Sequence, residues 1–384
     1  MVTTFTAFFL ILWLYALARM LLPLRRCRLC FGVAAGFMLL LLPGAFKFWV
    51  MKAFAYEGRY FAPELPSAVL LSLTWLNLVL LFLGVLLLLC EPLKLPAWSS
   101  FRMWGCLNRA GWRRAAAWLH AALALAALAA ASLGMHAAFA LPQVRELTVE
   151  LPGMPAGAQP IRLALMADLH ADCLKKADFY RPIVEEVNAL QPDAVVIAGD
   201  FADGDVPSHG ANLAPLRDLR APLGVFGVSG NHEYYSGGYA PWKKQLESYG
   251  ICMLDNEHRL LGQSGVVLAG VEDAQPNLQR ALRGAPGGHP VVLLCHRPAL
   301  APEMAADGRV SLQLSGHTHG GMMRGFDAVV ARYNKGYVAG AYQVGDMLLY
   351  VSRGTNLWSG MAVRLGVPSE ITLITLCPPA KEGR

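Results

Sequence analysis

Charged residues are scarce in this 384-residue sequence: Asp, Glu, Lys and Arg make up 16% of it, where about 25% is usual for a globular chain. That shortage excludes a disordered protein, which carries high charge and little apolar surface, and a nucleic-acid-coating protein, which needs clustered cations. The apolar excess beside it, 55% hydrophobic residues with a mean hydropathy of +0.39, excludes an ordinary cytosolic enzyme of this length. Acidic residues are scarcest in residues 1–140, with 3 Asp/Glu against 12 Lys/Arg; residues 141–384 hold 24 against 21. The net charge of +6 describes neither part. There is no internal repeat and no low-complexity linker. The cysteines add little: Cys27 and Cys30 form one Cys-x-x-Cys, but a zinc site wants four ligands and no second pair lies nearby. Spacing alone pairs none of Cys173, Cys252, Cys295 and Cys377.

What residues 1–140 do contain is long apolar runs. Crossing a bilayer as a helix takes about 20 mostly apolar residues, and four stretches qualify: 2–22, 30–50, 68–89 and 115–137. Nothing amphipathic surrounds them that could bury them in a soluble core. Arg25, Arg26 and Arg28 fall between the first two, and Lys94, Arg102, Arg109, Arg113 and Arg114 between the last two. The connection around Glu57–Glu64 has mixed charge. The positive-inside rule then puts the first and third loops in the cytoplasm, and both termini with residues 141–384 outside it. Basic residues follow the first run rather than precede it, so it is expected to stay as a span rather than be cleaved. His120 and His136, in or at the end of the fourth run, read as polar contacts between helices.

From Leu141 the pattern changes to short apolar runs separated by turns, starting with VRELTVELPG, which alternates like an exposed strand. IRLALMAD, DAVVIAGD, LGVFGVSGN, ICMLDNE, GVVLAGVED, PVVLLCH, RVSLQLSGH, MLLYVSRG and EITLITLC follow. Helices are expected over 174–190, 211–219, 239–249 and 275–282. Apolar strands alternating with helices imply sheets covered on both faces. Five of the runs end in metal-ligand chemistry: Asp168-Leu-His170, Gly199-Asp200, Gly230-Asn231-His232-Glu233, His296 and Gly316-His317-Thr318-His319. Strand ends hold side chains with the precision a metal needs, and Asp-x-His or His-x-His aims two ligands the same way from an extended backbone. Imidazole and oxygen donors without thiolate suit Mn, Fe or Zn and disfavour Ca. Each motif alone is weak; all five in this order predict a metal centre.

The constellation resembles the calcineurin-like metallophosphoesterases, whose motifs run D-x-H, G-D-x-x-D, G-N-H-[ED], H and G-H-x-H. Here they are DLH at 168–170, GDFAD at 199–203, GNHE, CHRP around His296, and GHTH. QPDAVVIAGDFADG, LAGVED, SGHTHGG and the closing LYVSRGTN…VRLGVPSEITLITL look like the branch that carries membrane spans before its phosphoesterase domain. Met322 departs from that branch, where a Gln is expected, and bears on substrate fit. The resemblance implies a multi-pass helical membrane domain, 1–140, followed by an α/β (α+β) four-layer domain, 141–384, of two mixed β-sheets flanked by helices. It implies two divalent ions (Mn, Fe or Zn), one on Asp168, His170, Asp200 and His319 and one on Asp200, Asn231, His296 and His317, sharing a bridging hydroxide. His232, not a direct ligand, would serve the leaving group, with Asp203, Glu233 or both orienting it. Arg297 either contacts the phosphate or forms a salt bridge.

The expected function is thus membrane-bound phosphohydrolysis, phosphomonoester or phosphodiester, on a lipid-linked or envelope substrate outside the cytoplasm. Hydrolysis of a nucleotide-diphospho-lipid of the UDP-diacylglucosamine type is an alternative, and a catalytically silent membrane scaffold or sensor is one of another class. A nuclease is disfavoured, because residues 141–384 lack the excess of cations that phosphate-tracking surfaces need. Expected partners are the bilayer and a phosphate ester, with no nucleic acid. His209, His258 and His289 read as loop or surface residues, and Tyr234 and Tyr235 as cleft walls or packing.

Overall fold

The computed structural model describes residues 2–55, 63, 65–103, 109–235 and 238–379, without the side chains of 94–103, 109, 110, 112 and 113. The chain divides into two compact units, Met1–Ala137 and Ala138–Arg384. The first is helical: α1 (Val2–Leu21), α2 (Arg28–Ala45), α3 (Lys47–Ala53), α4 (Ser67–Met103) and α5 (Arg109–Ala138). Among the described residues four helices are long and apolar enough to cross a membrane, over Val2–Leu24, Arg28–Ala45, Ser67–Leu93 and Arg114–Ala138. The run expected over 30–50 is broken after Ala45. Pro43 cannot continue the ladder, and Gly44 presses so close to α4 that a Cβ there would lie 2.6 Å from the Asn77 backbone nitrogen. The Asn77 amide donates to the freed Gly44 carbonyl at 2.8 Å. His120 is buried and His136 exposed. The mixed-charge connection, 57–62 and 64, and the side chains of Lys94, Arg102, Arg109 and Arg113 lie outside the described residues.

The second unit is built on two six-stranded sheets. The first runs β1 (Gln143–Glu150), β12 (Glu370–Cys377), β2 (Ile161–Met166), β3 (Ala194–Ala198), β4 (Val225–Val228), β5 (Ile251–Met253). The second runs β10 (Gly340–Val344), β11 (Met347–Val351), β9 (Val310–Ser315), β8 (Val291–Leu294), β7 (Val267–Gly270), β6 (Glu257–Leu260). Both are mixed: β2, β3, β4 and β5 are mutually parallel and β12 opposes β2, while β11, β9, β8 and β7 are parallel between antiparallel edges. The two-residue period of a strand sorts the core into layers. Ala194, Val196 and Ala198 of β3 meet Val292 and Leu294 of β8 between the sheets. Val195 and Ile197 face outward under α6 (Ala177–Ala189) and α8 (Tyr239–Glu247), through Tyr180, Val184 and Trp242. Beyond the other sheet, α9 (Leu278–Ala281) and α10 (Ala301–Ala305) cover Val291 and Leu293.

The helix expected over 211–219 is a 3-10 stretch, Gly210–Asp218, with Pro215 inside it; a short α7 (Val206–His209) precedes it and α11 (Asp327–Tyr333) lies further on. His209 ends α7 buried rather than in a solvated loop, and burial pushes its imidazole pKa down. His258 and His289 are half-buried, each bonded through Nδ1 to a backbone carbonyl, of Ala281 and Gly265. Cys252, Cys295 and Cys377 are free thiols.

Candidate metal centre

Five parallel strands from the two sheets deliver their C-terminal ends to one place. Asp168 and His170 follow β2, Asp200 and Asp203 follow β3, and Asn231, His232 and Glu233 follow β4; His296 follows β8, and His317 and His319 follow β9. The ladder runs on into these loops, with Asp168 N–H donating to the Gly199 carbonyl, His170 N–H to Asp200 and Gly316 N–H to His296. Asp168, His170, Asp200, His317 and His319 all turn left-handed, with φ from 48° to 75°, a conformation that Asp and His tolerate better than most residues. Gly230 is required for a different reason: a Cβ there would lie 2.2 Å from Asp200 Oδ1.

Asp200 Oδ2 is the hub. It lies 3.2 Å from His296 Nε2, 3.6 Å from His170 Nε2 and 3.9 Å from His232 Nε2. His296 Nε2 is also 3.2 Å from Asn231 Oδ1 and 3.2 Å from His317 Nδ1. Asp168, His170 and His319 form one group with donor atoms within 4.8 Å of one another, and Asp200, His296 and His317 another; His170, Asp200 and His232 satisfy the same distance. Asp168, His170, Asp200, Asn231 and His296 are buried, while His317, His319 and His232 are half-buried.

The protons of these imidazoles are committed elsewhere. His296 Nδ1 donates to the Ala198 carbonyl at 2.8 Å and His170 Nδ1 to Asp203 Oδ1 at 3.0 Å. That turns their Nε2 lone pairs toward Asp200, and the buried His170 Nε2 has no hydrogen-bond partner among the described residues. Lone pairs converging in a buried space repel unless a cation sits among them, so the donor set fits divalent metal. A proton competes with a cation for these lone pairs. Burial alone would push the His296 imidazole down, but Asp200 and Asp168 raise it to about 10. Burial lifts the Asp168 carboxyl to about 6. His317 is driven down to about 3 by burial and by His296, and His319 well below its usual range by burial and His170.

Asp203 Oδ1 receives both His170 Nδ1 and His232 Nδ1. Against the pull of burial, these two imidazoles hold its carboxyl far below the ordinary range. Glu233 does not orient His232. Its oxygens accept backbone N–H groups of Gly230 at 2.7 Å, Phe201 at 2.8 Å, and Asp200 and Ala202 at 3.2 Å, so it ties the β3 loop to the β4 loop. Arg297 makes the salt bridge, bidentate to Asp273 at 2.8 Å on both arms. Tyr234 packs, its hydroxyl bonded to Ser229 and Glu272. Tyr235 accepts from the Asn231 amide at 3.1 Å beside His232.

Sequence reasoning missed Arg364, Asn356, Lys175 and Trp358. Buried Arg364 donates to the carbonyls of His319, Asn356 and Arg353, and burial lowers its pKa to about 10. Asn356 holds the Leu169 carbonyl at 2.7 Å and offers its own to His319 Nδ1 at 3.4 Å. Asn356 and Arg364 had one signal, their position in the closing RGTN and VRLG segments.

Two mixed sheets that present Asp, His and Asn from five strand ends around a shared carboxylate define a metal-dependent hydrolase site. The sequence profile of calcineurin-like phosphoesterases matches residues 161–321. A bovine protein named transmembrane protein with metallophosphoesterase domain is 34% identical over 78% of this chain and 71% of its own length. The zebrafish protein of that name is 29% identical over 88% and 87%, and the uncharacterized metallophosphoesterase YkuE of Bacillus subtilis is 29% identical over 66% and 93%. The chain belongs to the calcineurin-like metallophosphoesterases and is a phosphoric ester hydrolase.

Proposed function

We propose that this is a membrane-bound phosphohydrolase with a dinuclear centre, acting on a lipid-linked or envelope phosphate ester on the side of the membrane away from the cytoplasm. Asp168, His170, Asp200 and His319 would hold one divalent cation, and Asp200, Asn231, His296 and His317 the other. The observation that carries the reading is the single Asp200 oxygen approached by three imidazole Nε2 atoms within 3.9 Å. Bound cations would supply positive charge for the phosphoryl oxygens and acidify a water. The residues do the rest. Neutral Asn231 adds a ligand without adding negative charge that would repel a phosphate. Burial would push the His232 imidazole down, while Asp200 and Asp203 lift it; Asp203, outside the proposed ligand set, would favour a proton there for the departing oxygen. Four apolar helices and relatives named as transmembrane proteins support membrane attachment, which would confine enzyme and lipid-linked substrate to one surface.

The test is full-length protein in detergent, its metals quantified, assayed on bis-p-nitrophenyl phosphate with added Mn²⁺. Turnover abolished by chelator and restored by Mn²⁺ is expected. No turnover by metal-replete protein would defeat the proposal. Reporter fusions are expected to place residues 141–384 outside the cytoplasm.

A further inference from the structure

Two aromatic side chains stand beside His232. The Tyr235 ring lies 5.0 Å from it and is 52% exposed, and the Trp358 ring lies 6.4 Å away. Neither Tyr235 nor Trp358 is in the set of candidate metal ligands, and neither belongs to a strand.

The Trp358 loop is tied down with unusual care. Its indole lies on Gly360 so closely that a Cβ there would fall 1.8 Å from Trp358 Cζ2. Lys175, fully buried, donates to the Leu357 carbonyl and, at 3.1 Å, to Ser359 Oγ, so it grips the loop on both sides of Trp358. Asp172 sits 3.6 Å from the ammonium, and the Ser359 hydroxyl donates to it. Asp172 is itself fixed by the N–H groups of Leu174 and Lys175, both at 2.8 Å. Leu357 and Ala362, flanking the loop, pack on Ala138, Phe139 and Met322. A buried ion pair is a poor source of stability, and this one directs its hydrogen bonds to the two residues that flank half-buried Trp358.

We infer that Trp358 and Tyr235 line the subsite for the leaving group at His232, selecting phosphate esters whose leaving group carries a flat aromatic ring, and that Lys175 is the positioning residue that holds Trp358 there. This rests on the reading of the metal centre as a phosphohydrolase site and names the face its substrate turns toward His232. Rings gain from offset or edge contacts with other rings beyond their buried area.

The experiment measures binding by calorimetry to full-length, Mn²⁺-replete protein, using inorganic phosphate, methylphosphonate and phenylphosphonate. The wild type is expected to prefer phenylphosphonate to methylphosphonate by about three- to tenfold. Trp358→Ala should erode that preference while leaving inorganic phosphate affinity and metal content unchanged, and Tyr235→Ala, which also removes the acceptor of the Asn231 amide, should erode it in protein whose metal content is matched to the wild type. Lys175→Met should erode it in the same way, a selective change that general destabilisation would not produce. Equal binding of the two phosphonates by a wild type that binds inorganic phosphate would overturn the inference and leave the phosphohydrolase reading standing. Retention of the preference by Trp358→Ala and Tyr235→Ala would overturn it too. Absence of phosphate binding by metal-replete protein would overturn both.

Discussion

Asp203→Asn separates charge from shape at the centre of the site. Asp203 Oδ1 accepts from His170 Nδ1 and His232 Nδ1, while the buried Oδ2 has no hydrogen-bond partner among the described residues. The asparagine can keep its oxygen on the two imidazoles and put its NH₂ where Oδ2 was. Two N–H groups are then buried without acceptors, a stability loss of about 1–3 kcal/mol, so the variant should fold. What disappears is the negative charge. Burial opposes the proton on His232, and Asp200, Asp203 and, to a lesser degree, Glu233 hold its pKa up to about 9. An adjacent carboxylate moves an imidazole by about one to three pH units. A raised pKa keeps the proton on at neutral pH and loses it as pH climbs, so activity that needs protonated His232 fails on the alkaline side. In Asp203→Asn that failure should begin about one to two pH units lower. Loss of a partner behind a metal-ligating histidine costs about 10–100-fold in affinity or activity, so the assay runs at saturating Mn²⁺ with metal counted in the protein. kcat/KM on bis-p-nitrophenyl phosphate, followed from pH 6 to 10, reads the outcome. An alkaline limb unchanged in metal-replete protein would refute Asp203 as the partner of a proton-donating His232.

Asp200→Ala should lose both metals and all turnover, whereas His232→Ala should keep its metal and lose roughly 10²–10⁴-fold in turnover; a metal-free His232→Ala would show that histidine to be a ligand. Gly230→Ala should drop turnover by about 10²-fold, because a methyl 2.2 Å from Asp200 Oδ1 must displace the hub carboxylate and misplacement by about 1 Å costs that much; wild-type kinetics in that variant would contradict the geometry. Metal affinity, followed by competition with a chelator of known pH dependence, should climb as pH rises from about 6, where Asp168 gives up its proton, to about 10, where His296 does, since cation and proton compete for the same atoms. A flat profile over that range would exclude these two as ligands.

How much of this could be read from the sequence depended on whether burial and chemistry coincided. The apolar runs from VRELTVE to EITLITLC each contain a strand because a strand under a helix or between sheets must be apolar on its buried faces. Two strands escaped, β6 and β10, and both are edges of the second sheet; EHRL and GAYQV have solvent on one side and no continuous apolar signature. The candidate ligands stood out because polar groups at the ends of apolar runs are costly unless used. Glu233 was half legible: its place beside His232 was plain, but sequence adjacency suggested contact with that ring, and the side chain turns instead to four backbone N–H groups. Lys175 and Arg364 were not legible as buried residues, since a Lys or Arg reads by default as surface.

The backbone of the site explains why such invisible residues are there. Left-handed turns at Asp168, His170, Asp200, His317 and His319 each cost about 1–2 kcal/mol relative to the helical or extended basins of most residues, and they pull peptide groups off the sheet ladder. Loops strained in this way would relax unless something gathers their stray N–H and C=O groups. Glu233 gathers N–H groups from the loops after β3 and β4; Arg364 gathers carbonyls from His319, Arg353 and Asn356. An anion collects donors and a cation collects acceptors, each at about 1.5–3 kcal/mol per charged hydrogen bond. The two clamps together are therefore of the same order as the strain they oppose. It follows that the protein's own hydrogen bonds contribute to the convergence on Asp200. Neither clamp belongs to the candidate ligand set, and a motif search confined to ligands passes over both.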